Sequence, residues 1–291
     1  NMYSYWSNAT YARDQYDAHQ IVSAGFGQVE ARLFDNLDAV LGVRYEKTDM
    51  ESKNHDTAAA ADIQANDWLP AVSLVYHIGK EMNVRFAYGK TLARPSLREI
   101  STFAQEEFTG SRFLHGNPNL RYTQIDNYDL RWEWFSRPNE IAAVSVFYKR
   151  FKDPIEVAMW GSNLDRIPVN VEKATNIGAE FELRTGLDRV ANKLRNFSVG
   201  GNFTLVSSEV KITGDELSLM RMIDPEAKDT RTMAGQSPFL LNVNLGFASD
   251  KSGTRADLLY NVFGRRFYYN SPGGTPDVYE KPRQSVDATC S

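Results

Sequence analysis

Apolar and polar residues alternate along many stretches of this chain. In the clearest stretch, 127–135, every second side chain is apolar and most of those between are polar or charged. A period of two places successive side chains on opposite faces of a β-strand. The same pattern predicts strands at 19–32, 37–46, 68–77, 82–91, 127–135, 141–150, 177–184, 197–207, 239–247 and 254–263, and the start of another near 286. The chain is therefore predicted to be all-β, with about eleven antiparallel strands.

The gaps between the predicted strands alternate between short and long. Short gaps fall near 34–36, 79–81, 137–139 and 250–253, with a medium one around 188–195. Long gaps fall near 48–66, 93–121, 153–168, 209–235 and 265–283. Transmembrane β-barrels have strands of about 9–11 residues, short periplasmic turns and long extracellular loops. We therefore predict an antiparallel transmembrane β-barrel segment whose long gaps face the cell exterior.

The composition narrows the classes of protein to which this chain could belong. Hydrophobic residues make up 42% of the chain and the mean hydropathy is −0.46, and no segment approaches the roughly 20 apolar residues of a membrane helix. A barrel is still compatible with this composition, because only one face of each strand is apolar. The net charge of −4 gives no basic footprint for nucleic acid. With Cys290 as its one cysteine, the chain has no disulfide framework.

Several short motifs follow one another in the later part of the chain. They include GNPNL at 116–120, IDNYDLRWEWF at 125–135 and FYKRFKDPI at 147–155, with further motifs at 91–100, 235–239, 258–266 and 277–283. In order and spacing these motifs resemble those of TonB-dependent outer-membrane receptors, in the form common among Bacteroidetes. The resemblance implies a barrel of about 22 strands closed around an N-terminal plug. It also implies a location in the Gram-negative outer membrane and active import of a scarce nutrient such as a siderophore, glycan or peptide.

The same resemblance suggests what surrounds this sequence. Residues 1–291 would be part of the barrel domain, roughly strands 10 to 20, with the plug and the final strands outside the sequence. The expected partners are outer-membrane lipid, the plug, the TonB–ExbB–ExbD complex, a surface lipoprotein and a small-molecule, peptide or glycan ligand, and no nucleic acid. Two alternatives stay open, a passive outer-membrane porin or channel and a soluble all-β binding or adhesion module.

The sequence carries no recognisable catalytic or metal site. Its histidines, His19, His55, His77 and His115, are far apart and form no metal-ligand spacing. It also lacks a phosphate-binding glycine loop and a nucleophile elbow. We therefore predict no enzyme activity, no cofactor and no metal site.

Charged residues on the polar faces of the predicted strands are expected to face the barrel lumen. They are Arg85, Asp129, Arg131, Glu133, Glu180, Glu182 and Arg184. These residues can hold the plug or neighbouring strands through paired charges, or they can line the substrate route. The first interpretation is favoured, because polar groups inside a filled barrel need hydrogen-bond partners.

The long extracellular loops are the best candidates for ligand binding, because a rigid scaffold usually presents binding residues on loops. The candidate ligand contacts are Arg94, Arg98, Arg112, Phe113, His115, Arg121, Trp160, Tyr268 and Tyr269. Aromatic rings suit stacking on sugars or macrocycles, and arginine suits carboxylate or phosphate groups. Packing between loops is the alternative role for the same residues.

Overall fold

The computed structural model describes residues 15–55, 60–106, 111–161, 163–212, 214–269 and 277–291. Its strands in chain order are β1 (Tyr16–Phe34), β2 (Leu37–Asn54), β3 (Ala60–Ile78), β4 (Met82–Ala93), β5 (Ala104–Glu106), β6 (Phe113–His115), β7 (Thr123–Trp134), β8 (Ile141–Lys152), β9 (Ile155–Trp160), β10 (Asp165–Asn170), β11 (Lys173–Gly186), β12 (Phe197–Lys211), β13 (Thr230–Arg231), β14 (Phe239–Ser249), β15 (Thr254–Phe263), β16 (Arg266–Tyr269), β17 (Val278–Glu280) and β18 (Arg283–Cys290). The α-helices are α1 (Leu97–Ile100) and α2 (Gly214–Ile223), and 3-10 turns lie at Leu187–Arg189 and Asn192–Leu194.

The long strands form one antiparallel sheet in which successive long strands are neighbours. Their order is β1-β2-β3-β4-β7-β8-β11-β12-β14-β15-β18, and β13 pairs with the end of β12. Every strand predicted from alternation is present, including the last, so the all-β antiparallel fold is confirmed. A closed barrel of about 22 strands stays a prediction. Within the described residues, no helix has the length and apolar composition needed to cross a membrane.

The two faces of this sheet differ in chemistry, and the apolar face is exposed, unlike the apolar face of a sheet in a soluble protein. On the apolar face, Leu130 is 47% exposed and Phe181 is 44% exposed. On the polar face, Glu133 is only 7% exposed. A soluble sheet buries its apolar face against a core, whereas a membrane barrel turns that face to lipid. The exposed apolar face therefore favours the membrane barrel over the soluble adhesion module.

The short connections lie together at one end of the sheet, as predicted. They join β1 to β2, β3 to β4, β7 to β8, β11 to β12 and β14 to β15. Gly79 and Gly253 lie in two of these turns at φ +67° and +69°, a left-handed conformation that glycine adopts without steric cost. Asn139 takes φ 66° in a third turn. We call this end of the sheet the turn side and the opposite end the loop side.

The long loop predicted at 48–66 is wrong in its bounds. β2 and β3 pair continuously from Leu37 opposite Tyr76 to Lys53 opposite Ala60. These two strands are therefore much longer than the alternation indicated, and only 55–59 separates them.

The physical reason is that the hydrophobic pattern of this hairpin changes phase. Toward the turn side, Leu41 is 53% exposed on the apolar face. Tyr45 and Trp68 then face each other with ring centroids 4.9 Å apart. Beyond them, Met50 and Ile63 are buried on the opposite face, where they pack against the connection between β4 and β7. The outer half of the hairpin thus follows the rule of a soluble protein, with apolar residues inside.

The other long connections carry secondary structure of their own. Strands β5, β6, β10 and β9 form a small sheet, in which β6 and β10 pair in parallel at Leu114 and Arg166. This sheet joins the β4–β7 connection to the β8–β11 connection. Strands β16 and β17 pair within the β15–β18 connection.

Helix α1 is fixed by local chemistry at both ends. At its start Ser96 and Glu99 form a capping box, in which each side chain bonds the other's backbone N–H. Near its end the chain returns so closely that a Cβ at Gly116 would lie 1.5 Å from the Ser101 carbonyl oxygen. Only glycine fits at that position without a shift of the backbone.

Candidate functional site

A chain of ion pairs crosses the polar face of the sheet from β4 to β11. Arg85 donates through Nε to Glu133 Oε2 (2.6 Å), and Arg131 donates through Nε to Glu133 Oε1 (2.9 Å). Arg131 also donates to Glu182 Oε2 (2.6 Å) and to Ser145 Oγ (3.0 Å). Because β4, β7, β8 and β11 each contribute a member, the network connects four neighbouring strands. This geometry supports the interpretation that the charges hold strands together.

The other predicted lumen-facing residues lie on the same face. Asp129, Glu180 and Arg184 are each two positions from a network member on their own strand, and residues two apart on a strand share a face. Arg184 lies near the turn side, opposite Ile141 of β8. The predicted charged residues therefore follow one polar face along β4, β7 and β11.

Arg94, a candidate ligand contact, connects the start of its loop to β2. Its guanidinium forms an ion pair with Glu46 and donates through Nε to Thr48 Oγ1 (3.0 Å). Glu46 also accepts from Arg44 (2.6 Å). The Arg94 side chain is only 18% exposed. These contacts favour loop packing over ligand binding for Arg94.

Arg98 and Arg121 lie in the same connection and also contact protein. Arg98 belongs to α1, and its Nη2 atom is buried without a hydrogen-bond partner among the described residues. Arg121 forms an ion pair with Asp153 (2.6 Å) while its side chain stays 64% exposed. Beside it, Tyr122 donates to Asp67 Oδ1 (3.1 Å), and burial raises the pKa of the tyrosine hydroxyl.

The polar members of a second group meet at the small loop sheet. Arg166 of β10 donates to the backbone carbonyl of Arg112 (3.3 Å) and to the hydroxyl of Tyr269 (3.2 Å). His115 Nε2 lies 3.1 Å from Asp165 Oδ2. Within the described residues, no group of three or more His, Cys, Asp and Glu side chains could hold a metal ion.

Aromatic rings complete this group. Phe113 and Tyr268 are each 43% exposed, and the rings of Tyr268 and Tyr269 lie 4.2 Å apart between centroids. Trp160 ends β9 and pairs through its backbone with Asp165. We define the loop cluster as Arg112, Phe113, His115, Arg166, Tyr268 and Tyr269.

Most members of the loop cluster were predicted as candidate ligand contacts from their residue type and their place in a predicted loop. Arg166 was not among those candidates. It lies in the long gap predicted near 153–168, where β9 and β10 form a short hairpin. A signal was present in this segment, because Gly161 and the residues around it separate two short runs of mixed polar and apolar residues.

A buried ion pair joins further loop-side connections. Arg231 of β13 places Nη2 2.7 Å from Glu156 Oε2 of β9, and their side chains are 14% and 4% exposed. Glu156 Oε1 also accepts from the backbone N–H of Ala234 (2.8 Å). The Arg231 guanidinium lies 5.2 Å from the ring centroid of Phe267, which is 3% exposed. We call Glu156, Arg231 and Phe267 the loop junction; no local sequence pattern signals it, because its members are far apart in the chain.

The turn side has a comparable buried carboxylate in Glu140, which is 8% exposed. Glu140 accepts from Arg189 Nη2 (2.6 Å), from Ser136 Oγ (2.9 Å) and from the backbone N–H of Gly186 (3.2 Å). The Arg189 guanidinium lowers the pKa of Glu140 to about 2. This carboxylate ties the β7–β8 turn to the β11–β12 connection.

The arrangement of long strands, an exposed apolar face and ordered loops at one end has a match among known families. A family model described as "TonB dependent receptor-like, beta-barrel" matches residues 1–289. The chain belongs to this family. Its members are β-barrels of the Gram-negative outer membrane, so the predicted family and location are confirmed.

Individual relatives are distant in sequence. The ferrienterobactin receptor of Escherichia coli (strain K12) is 22% identical over 243 residues, which are 79% of this chain and 29% of that receptor. The ferric citrate transporter FecA in its unliganded form has a TM-score of 0.65 at 12% identity, covering 95% of this chain and 38% of that one. The siderophore receptor PirA from Acinetobacter baumannii has a TM-score of 0.60 at 12% identity, covering 92% and 39%.

The copper transporter OprC has a TM-score of 0.67 at 13% identity, covering 94% of this chain and 40% of that one. All these relatives are named as receptors or transporters and not as enzymes. The chain spans less than half the length of each of them. At these identities, the likeness to the solved structures shows the fold.

Proposed function

We propose that this chain forms part of the barrel of a TonB-dependent importer, which actively transports a scarce nutrient across the outer membrane. The observation that carries the proposal is the match of the family model to residues 1–289. The TonB–ExbB–ExbD complex would supply the energy, acting through a plug domain inside the barrel. Neither a passive porin nor a soluble adhesion module is favoured by this family assignment.

The loop cluster is the part of the chain that we propose contacts the ligand. It combines exposed rings, Phe113 and Tyr268, with the guanidinium groups of Arg112, which contacts Met159 Sδ, and of Arg166, which contacts Tyr269. Arginine binds carboxylate and phosphate groups through charge-assisted hydrogen bonds, and aromatic faces stack on planar ligand groups. A negatively charged ligand with aromatic or planar parts fits this surface better than a neutral one.

Among the substrate classes, a negatively charged metal chelate is favoured over a glycan or a peptide. Its charge suits the arginines of the loop cluster, and relatives are named for ferrienterobactin and ferric citrate. A surface lipoprotein would serve as partner if the ligand were a glycan or a peptide.

The polar-face network has a structural role in this proposal. Arg85, Glu133, Arg131 and Glu182 already satisfy one another, so they would support the wall around the plug and would not bind substrate. We propose no enzymatic step for this chain.

The test uses the full-length protein, expressed in a Gram-negative strain that lacks its own iron-chelate receptors. Uptake of a panel of labelled ferric chelates, oligosaccharides and peptides is measured with and without TonB. We expect uptake of a ferric chelate that requires TonB. Uptake that persists without TonB would contradict active transport and favour a passive channel.

A second measurement tests the loop cluster. The double variant Arg112→Gln/Arg166→Gln should weaken ligand binding by about 100-fold, since each charge-assisted hydrogen bond contributes roughly one order of magnitude. Arg121→Gln is the matched control, because Arg121 is a loop-side arginine outside the cluster that binds Asp153. Equal affinities for the double variant and the control would remove the loop cluster from the proposed site while leaving active transport intact.

A further inference from the structure

The apolar face changes its chemistry from row to row near the loop side, where a row is a set of residues that lie opposite one another on β4, β7 and β8. One row consists of Tyr88, Tyr128 and Tyr148. The ring centroids of Tyr88 and Tyr128 lie 5.0 Å apart, and those of Tyr128 and Tyr148 lie 6.2 Å apart. The next row toward the turn side consists of Phe86, Leu130 and Val146. Tyrosines above apolar residues mark the interface between hydrocarbon and lipid headgroups.

The next two rows toward the loop side bring four basic residues together. The first consists of Lys90, Asp126 and Arg150. The second consists of Leu92, Gln124 and Lys152, and Lys173 lies opposite Lys152 on β11. They lie on the same face as the tyrosines, because they are two and four positions further along their strands. Since the loop side faces the cell exterior, these rows lie at the level of the outer-leaflet headgroups.

Lys173 and the residues of these two rows other than Leu92 line a groove of about 680 Å³ together with Trp68 and Tyr88. Asp126 accepts from the Tyr88 hydroxyl (3.1 Å) and from Arg150 Nη2 (2.9 Å), and so orients the arginine. The Arg150 side chain nevertheless stays 63% exposed. Trp68 is also 63% exposed and offers apolar surface beside the cations.

Positive charge dominates the groove. Four cationic side chains line it, and Asp126 is the single carboxylate among the described lining residues. Outside the lining, Glu172 lies 3.6 Å from Lys173, and their side chains are 55% and 66% exposed. Exposed ion pairs of this kind are weak, so Glu172 does not cancel the positive field of the groove.

We propose that this groove binds the phosphorylated sugar headgroup of a glycolipid in the outer leaflet. Phosphate oxygens form their strongest hydrogen bonds with arginine and lysine, and basic clusters beside a membrane recognise anionic lipid headgroups. The acyl chains of such a lipid would lie along the tyrosines and the apolar rows below them. The site is separate from the loop cluster, so its occupant is a membrane component and not the transported nutrient.

The placement of the cations supports a lipid over a soluble anion. Lys90, Arg150 and Lys152 lie above tyrosines of the same strands, β4 and β8, and Lys173 lies opposite Lys152 on β11. A site for a free anion would need no such alignment with the hydrocarbon boundary. Trp68 adds an apolar contact that a free phosphate could not use.

The experiment uses the full-length protein, purified in detergent. Native mass spectrometry measures binding of lipid A that carries its phosphates, of the same lipid without phosphates, and of the phosphorylated lipid in the presence of excess inorganic phosphate. We expect the phosphorylated lipid to bind and the dephosphorylated lipid to bind far more weakly. Excess inorganic phosphate should not displace the lipid.

The test variant is Lys90→Gln/Lys152→Gln/Lys173→Gln, which keeps the Arg150–Asp126 pair. It should bind the phosphorylated lipid about 100-fold more weakly. Each cation near a charged membrane surface typically changes binding by about 5-fold, and this variant removes three of them. Lys193→Gln/Arg195→Gln/Lys251→Gln is the matched control, because these exposed cations lie on the turn side. The control should bind like the unchanged protein.

Three results would overturn the proposal: equal binding of both lipids by the unchanged protein, equal binding by the test variant and the control, or displacement by inorganic phosphate, which would indicate a free-anion site. If the triple variant does not fold, Lys152→Gln alone serves as the test, with an expected loss of about 5-fold. TonB-dependent uptake is measured in parallel. A loss of lipid binding with unchanged uptake separates this site from the proposed function.

Discussion

Two buried carboxylates at opposite ends of the sheet show that the two sides are held together differently. On the turn side, Glu140 accepts from Arg189, Ser136 and Gly186, which belong to strand ends and turns already fixed by backbone pairing. On the loop side, Glu156 binds Arg231 in a connection that is remote in sequence. The turn side would keep its shape without its carboxylate, whereas the loop side depends more on contacts between residues that are remote in sequence.

This difference fits the separate tasks proposed for the two ends. Hairpins hold the turn side locally, so each turn forms with its own strands. The loop side presents the proposed ligand surface. Its connections contact one another through the small sheet of β5, β6, β9 and β10, through the loop junction and through pairs such as Arg121 and Asp153. A surface built in this way can change its loops without disturbing the sheet below.

The largest effect is expected from Glu156→Ala. The substitution leaves the Arg231 guanidinium buried without its carboxylate, and breaking a buried pair in this way costs about 3–5 kcal/mol. We expect faster amide hydrogen exchange in 153–172 and 212–238, with unchanged exchange in β7 and β8. Glu172→Ala is the control, because its side chain is 55% exposed. Unchanged exchange in both loop segments would show that the loop junction does not hold them.

A smaller effect is expected from Gly116→Ala, also on the loop side. The new Cβ would lie 1.5 Å from the backbone oxygen of Ser101, so α1 must move, and overpacking of this kind costs about 1–3 kcal/mol. We expect increased proteolysis within 94–122 and a lower unfolding temperature. A variant with the protease resistance of the unchanged protein would show that the chain there has more freedom than the structure indicates.

Gly253→Ala is the counterpart on the turn side. Gly253 has φ +69°, and an added Cβ would meet nothing within 4 Å. The only cost is the left-handed backbone conformation, about 1 kcal/mol. We expect a small decrease in unfolding temperature and no change in proteolysis of the β14–β15 turn. A decrease larger than that of Gly116→Ala would contradict the contrast between the two sides.

The last variant on the turn side, Glu140→Gln, tests how stability depends on pH. Because Arg189 lowers the pKa of Glu140 to about 2, and an unfolded glutamate has a pKa of about 4.3, this group favours the folded state above pH 4.3. Its contribution is lost as the pH falls from about 4.3 through 2. The unfolding temperature of the unchanged protein should fall more steeply across that window than that of the variant. Parallel curves for the two proteins would rule out the proposed ionisation.

Much of the sheet was predictable because one face of each strand meets lipid. Alternation located β7 and β11 within a few residues of their observed bounds. It failed in the outer halves of β2 and β3, where Met50 and Ile63 are buried on the face opposite to that of Leu41. A prediction that follows one continuous apolar face makes such a strand too short, because it stops where the surroundings change from lipid to water.

For the candidate site, the sequence predicted which types of residue lie in the loops better than it predicted what each residue does. Arg94 and Arg112 have the same side chain in the same loop, yet Arg94 binds Glu46 on a distant strand, whereas Arg112 joins the loop cluster. Such a distinction depends on partners that are remote in sequence. The capping box of Ser96 and Glu99 was the opposite case, because its signal is local and could have located α1.

The change of phase in the β2–β3 hairpin also acts as a check on assembly. If β3 slipped by one residue against β2, all of its side chains would turn to the opposite face. Such a slip would expose Ile63 to water and, in the same step, turn Val72 away from lipid. Since both errors arise together, a hairpin misaligned by one residue satisfies neither of the two environments. Lipid and water therefore both favour the same register of β3 against β2 as the hairpin enters the membrane.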